Sequence, residues 1–204
     1  MRLHKRLLTL APFACTAGLV LGAAASGASA SLEPVPVSIQ RQSSTPNRQT
    51  RAPEFTLTLL DGRRLSSTSL AGKTVVLDFW GTWCPPCQAA TPILVSFANK
   101  YAADPDFVMI GVSADEPKDE KLLRDYIAKH RMNWMQYFDS PQRLASQFQI
   151  DDFPTYLVLD GKGNISERLL GWPRAAKGST VPAGTSVLGA LESAVKKSLK
   201  QGRK

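Results

Sequence analysis

Cys84 and Cys87 are separated by two prolines in the stretch Gly81-Thr-Trp-Cys-Pro-Pro-Cys-Gln88. Two thiols at this spacing suit half of a zinc site, a haem anchor, a copper(I) site, a structural staple or a redox couple. Zinc takes about four ligands, mostly Cys and His. Beyond its first thirty or so residues the chain offers Cys84, Cys87 and His130, which is too few. Haem attachment needs a His directly after the second Cys, and that residue is Gln88. Two thiolates could hold copper(I), but no Met or His lies nearby in sequence to support it. A staple that closes so short a loop restrains the unfolded chain little, because the entropic gain grows with loop length. A redox couple fits best. It needs no metal or other cofactor, since the disulfide itself carries the electrons.

The elements around the pair favour that chemistry. Thr74–Trp80 (TVVLDFW) is an apolar, β-rich run suited to a buried central strand. From Pro85 to about residue 103 the apolar residues recur at helical spacing: Ile93, Leu94, Phe97, Ala98, Tyr101. Cys84 therefore falls where a strand ends and a helix begins. There the free N–H groups and the positive end of the helix dipole favour thiolate. Cys87 is one turn further on, within disulfide reach. Pro85 takes the first helical position, where a missing N–H costs nothing. Asp78 interrupts the apolar run. Burial on both faces of that strand would raise its pKa, and such a group could take the proton from Cys87.

The remaining pattern predicts an α/β domain. Phe55 to Leu59 alternates and Asp61-Gly62 turns, which reads as a hairpin. Strands follow at 107–112, 134–138, 155–159 and 165–170. Helices are expected at 117–130, with Leu122, Leu123, Tyr126 and Ile127 on one face, at 141–148, and at the C-terminus through Val187, Leu188, Leu191, Ala194, Val195 and Leu199. Alternating strands and helices imply a central sheet, largely parallel, with helices on both faces and a final antiparallel hairpin at its edge.

The chain begins differently. Arg2, Lys5 and Arg6 precede an apolar run from Leu7 to about residue 25, and Ala28-Ser29-Ala30 follows. This is the pattern of a secretory signal peptide over 1–30, with an uncleaved anchor as the other reading. Residues 31–51 are rich in Pro, Ser, Gln and Arg and read as a flexible linker; the globular domain is expected over 52–204. The formal charge of +8 falls to a modest excess without the leader. Lys196, Lys197, Lys200, Arg203 and Lys204 cluster at the end and read as a solvated helix terminus, with no nucleic-acid partner expected. Export to an oxidising compartment, the periplasm or its equivalent, fits a chain that then keeps just two cysteines.

The motif Trp80-Gly-Thr-Trp-Cys-Pro-Pro-Cys87, with Asp78 before it and Pro92 after, resembles the thioredoxin superfamily. The exported leader, the opening hairpin and the extra helix and strand at 117–138 are most similar to its cell-envelope TlpA/ResA group. The resemblance implies a thioredoxin-like fold and an exported protein-disulfide oxidoreductase, often a reductant in cytochrome c maturation or copper-site assembly. Its partners would be client protein thiols and disulfides and a membrane electron donor of the CcdA or DsbD type. It casts Cys84 as the exposed attacking thiolate and Cys87 as the buried resolving thiol. Pro154 matches the family's cis-proline opposite the disulfide. Trp83, Phe153, Pro85 and Pro86 would line the substrate groove, Trp80 would pack beneath the disulfide, and Pro92 would kink the helix. Phe153 departs from the small or β-branched residues usual at its position, and Asp78 stands where many envelope relatives carry Asn.

Direction follows from thiolate stabilisation, because strong oxidants have a stabilised reduced form. Neither Pro85 nor Pro86 has an N–H, and neither is a cation. A moderate lowering of the Cys84 pKa and a fairly reducing couple are expected. The rival readings are an oxidising disulfide donor, a copper(I)-handling module and a thiol peroxidase. The last lacks a Thr three residues before the reactive Cys, where Gly81 stands.

Overall fold

A computed structural model describes residues 50–171 and 185–203. The expected leader, nearly all of the expected linker and the segment 172–184 lie outside the described residues.

Strand β1 (Thr50–Arg51) comes first, followed by β2 (Thr56–Thr58) and β3 (Arg64–Ser66). Then come β4 (Thr74–Trp80), α1 (Pro85–Tyr101), β5 (Phe107–Ser113) and α2 (Glu120–His130). The chain continues with β6 (Met135–Phe138), α3 (Arg143–Gln147), β7 (Thr155–Leu159), β8 (Asn164–Leu170) and α4 (Thr185–Gly202). The main sheet has the order β1-β8-β7-β4-β5-β6, and β2-β3 forms a separate hairpin.

The sheet is more mixed than its alternating sequence pattern suggests. β4 pairs in parallel with β5, and β5 with β6. β7 runs antiparallel to β4 and to β8, and β1 antiparallel to β8. The final hairpin thus contributes its first strand to the centre, beside β4. β1 also corrects the linker boundary: Thr50 and Arg51 pair with Ile165 and Asn164, so the folded part has begun by residue 50. A two-residue edge strand carries too little pattern to be read from sequence.

β4 is buried along its whole length, as a central strand covered on both faces must be. Alternate side chains feed two cores. Val76 and Trp80 join Leu94 and Phe97 of α1, Leu123 of α2, and Leu191, Val195 and Leu199 of α4. Val75, Leu77 and Phe79 join Leu57 of the hairpin, Leu144 of α3, and Phe148 and Ile150. Three helices therefore cover one face, and the hairpin with the short α3 covers the other. A buried hydrogen bond of 2.8 Å between the Thr74 and Ser198 hydroxyls ties α4 to the start of β4.

Two helices start or face differently from expectation. The segment 117–119 is a 3₁₀ turn, and α2 proper begins at Glu120. Leu122 is 55% exposed, against full burial of Leu123; it sits roughly a quarter-turn from the centre of the Leu123–Tyr126–Ile127 stripe. Pro141 follows a cis bond from Ser140, Gln142 has φ 54°, and α3 starts at Arg143. Buried Asp139 holds that start by accepting from the backbone N–H groups of Leu144 (2.9 Å) and Ala145 (2.8 Å).

Candidate active site

Cys84 is the N-cap of α1 and Pro85 its first residue. Cys84 and Cys87 form a disulfide with a Cα separation of 5.2 Å. The backbone N–H of Cys87 donates to Cys84 Sγ at 3.2 Å. Pro85 and Pro86 can donate nothing, so in the first turn this is the N–H that reaches the sulfur. Thr91 Oγ1 donates to the carbonyl of Cys87 (3.0 Å) and shares a hydrogen bond of 3.1 Å with the Tyr126 hydroxyl. Pro92 lies inside α1, where its missing N–H leaves a carbonyl one turn back without the usual partner. Among the described residues no group of three His, Cys, Asp or Glu side chains converges to hold a metal.

The expectation of an exposed Cys84 is corrected. Cys84 is 2% exposed, no more than Cys87, and both belong to the core cluster that contains Trp80. In the closed disulfide Sγ of Cys84 is bonded to a partner as buried as itself and accepts from the N–H of that partner. Trp83 is the exposed large apolar residue of the motif, at 53%. Its indole lies over Gly81, where a Cβ would come within 2.7 Å of Nε1. Its ring meets Phe153 edge-on at 5.4 Å between centroids. The Phe153–Pro154 bond is cis. Pro85 is exposed and Pro86 half-buried.

Beneath the disulfide lies a small, tightly packed chamber with no free room for a water molecule. β4 gives it Asp78 and Trp80, α1 gives Cys87, Thr91 and Leu94, and the β7 side gives Pro154 and Tyr156; Met132 completes it. Asp78 is fully buried, and neither carboxylate oxygen has a hydrogen-bond partner among the described residues. Burial pushes its carboxyl up to about 7. Tyr156 sits opposite Asp78 in the β4–β7 register. Its phenol is raised well above the ordinary value, first by burial and then by the charge of Asp78. The structure thus brings Asp78, Cys87, Pro154 and Trp80 to one place, with Cys84, Trp83 and Phe153 on its outer side.

A network that the sequence reading missed fastens the loop before Cys84. Asp115 is buried just after β5. It accepts from the backbone N–H of Thr82 (3.1 Å), from the Thr82 hydroxyl, and from the Ser113 hydroxyl (2.5 Å). Gln88 Nε2 in turn donates to the Thr82 carbonyl at 2.6 Å. A polar residue after a strand reads as solvated loop, so only the contacts reveal its role. Asp115→Ala strands three buried donors and is expected to cost about 3 kcal/mol or more in urea unfolding.

These features accord with the comparisons to known proteins. The profile of a family described as Thioredoxin-like matches residues 72–165. The chain is 30% identical over 117 residues to "Thioredoxin-like protein YneN" of Bacillus subtilis, spanning 57% of this chain and 68% of that one. It is 28% identical over 120 residues to "Thiol-disulfide oxidoreductase ResA" of Bacillus cereus, spanning 59% and 68%. Among solved structures, a thiol:disulfide interchange protein of the thioredoxin family from Chlorobium tepidum superposes with a TM-score of 0.58 at 26% identity, covering 74% of this chain and 97% of that one. With a CxxC disulfide at the head of α1 and a cis-proline lining the chamber beneath it, the chain belongs to the thioredoxin-like family of thiol–disulfide oxidoreductases.

Proposed function

We propose that this chain is an exported reductant of protein disulfides. The observation that carries the direction is the sparse support for the Cys84 sulfur: one backbone N–H at 3.2 Å and two prolines that can offer none. A weakly stabilised thiolate makes the reduced form a good electron donor.

The reaction runs in two exchanges. The Cys84 thiolate attacks one sulfur of a client disulfide, and the other client sulfur leaves as thiolate, which takes a proton from water. Cys87 then gives its proton to Asp78, and its thiolate attacks Cys84 Sγ. The client departs with both sulfurs reduced, and the Cys84–Cys87 disulfide remains. Asp78 suits the acceptor role because a carboxyl near 7 can take a proton at neutral pH. Phe153, Trp83, Pro85 and Pro86 form the ground on which the client chain lies. A membrane electron donor of the CcdA or DsbD type returns two electrons to the disulfide. The signal-like leader supports a periplasmic or extracytoplasmic site of action; no helix of the described residues is long and apolar enough to cross a membrane. Cytochrome c maturation and copper-site assembly are the client pathways that the family resemblance suggests.

A paired assay tests the direction. Reduced protein is expected to cleave the disulfides of insulin with turnover when an electron source is supplied. Oxidised protein is expected to transfer its disulfide poorly to a reduced, unfolded client. Efficient transfer with poor insulin reduction would reverse the assignment.

A further inference from the structure

Two cavities in the domain meet at one side chain. The inner one is the tightly packed chamber, too small for a water molecule, that is lined by Asp78 and Cys87. The outer one has a volume of about 560 Å³, opens to solvent, and lies between the C-terminal half of α1, the α2 helix and strands β5 and β6. Among the described residues Met132 alone lines both cavities. It sits in the short connection from α2 to β6 and is 5% exposed. Its N–H donates to the Ile127 carbonyl at 3.1 Å, so the backbone is held. The side chain is unbranched and has three rotatable bonds, which suits it to fill an irregular gap.

The chamber has no room for a water molecule as packed, but it is lined by groups that would bind one if room were made. Both carboxylate oxygens of Asp78 and the indole N–H of Trp80 are unpartnered among the described residues. Water enters a buried space only where several such groups can receive it. The other ionisable groups facing Asp78 are Tyr156 from β7 and, once the disulfide is reduced, Cys87 from α1. On the β5 side its register neighbour is Gly111, which presents no side chain. Among the described residues no lysine, arginine or histidine lines the chamber. With no cation to hold a carboxylate, exclusion of water governs how Asp78 binds its proton.

We propose that Met132 is a positioning residue for the proton transfer: its side chain seals the chamber from the open cavity and keeps water off Asp78. This rests on Asp78 as the acceptor of the Cys87 proton. A wet Asp78 would ionise more easily and become a poorer acceptor at neutral pH. Met132 thus acts on the resolving step through Asp78, without touching the client.

The test follows the Asp78 carboxyl carbon by NMR as pH is raised, in oxidised wild-type protein and in Met132→Leu, Met132→Val and Met132→Ala. Wild type and Met132→Leu, which refills the gap, are expected to titrate alike. Met132→Ala is expected to titrate at least about one pH unit lower, and Met132→Val between them. The pH profile of the resolving step should move with the titration. A cooperative thermal transition establishes that each variant is folded, and Met132→Val keeps the test alive if Met132→Ala is not. Titration of the folded small variants at the wild-type pH would overturn the seal. The titration reads protonation whether or not Asp78 is the acceptor. A failure of the acceptor role would appear separately, as equal slowing of both exchanges in Asp78→Asn.

Discussion

Cys87→Ser protein, reduced and mixed with a disulfide-bonded client, is expected to accumulate as a mixed disulfide through Cys84. Cys84→Ser protein is expected to accumulate nothing. The asymmetry follows from position. Cys84 caps α1 and accepts a hydrogen bond from the Cys87 N–H, so its sulfur is the one stabilised as thiolate at the helix start. Cys87 lines the chamber together with Asp78, its proposed partner for proton transfer. Removing a nucleophile generally costs on the order of 10⁴-fold or more in rate, and turnover in insulin reduction should fall by that order in Cys84→Ser. Cys87→Ser should lose turnover as well, yet keep the first exchange within about tenfold of wild type. Gel separation without reductant reads the trapped species directly. Trapping through Cys87 in the Cys84→Ser protein would invert the roles.

Asp78→Asn should make the protein more stable above neutral pH while making it a slower enzyme. The folded state holds the Asp78 proton up to about pH 7, whereas an unfolded Asp releases it near 3.8. Between those values the folded state binds more protons, so stability declines as pH rises through the window and levels off above it. The difference corresponds to about 4 kcal/mol at pH 8, all of it a cost of burying the ionised carboxylate. Asn carries no such charge. Urea unfolding at pH 8 should therefore show a gain of that order in Asp78→Asn, shrinking to little at pH 4. In the same variant the resolving step should slow by about a hundredfold near pH 7, a usual contribution of a general base. The first exchange should change far less. Equal stability of the two proteins at both pH values would show that Asp78 is hydrated or paired in solution.

Much of this was legible because it rested on unbroken patterns. Thr74–Trp80 is apolar on both parities, and it is the fully buried strand between β5 and β7 in the main sheet. That same run made the burial of Asp78 readable. The Cys-Pro-Pro-Cys spacing placed the disulfide at a helix start, and the contacts agree. What escaped were features held by side chains distant in sequence. Asp115 grips Thr82 across the gap between two strands, and no periodicity signals that bond. The antiparallel insertion of β7 beside β4 is a matter of sheet order, which alternation alone does not fix. The burial of Cys84 is a matter of tertiary packing in the cluster around Trp80, which the spacing of the motif does not convey. Met132 lies between α2 and β6, outside any periodic run, yet it lines two cavities.

The most direct measurement is the equilibrium reduction potential of the Cys84–Cys87 couple. Tryptophan fluorescence against defined thiol–disulfide buffers would follow it, since Trp83 adjoins the disulfide and Trp80 packs in the same cluster. A reductant of protein disulfides should lie below about −200 mV, toward the roughly −270 mV of thioredoxin. A value near −120 mV, roughly that of the strong oxidant DsbA, would contradict the proposed direction and make this chain a disulfide donor.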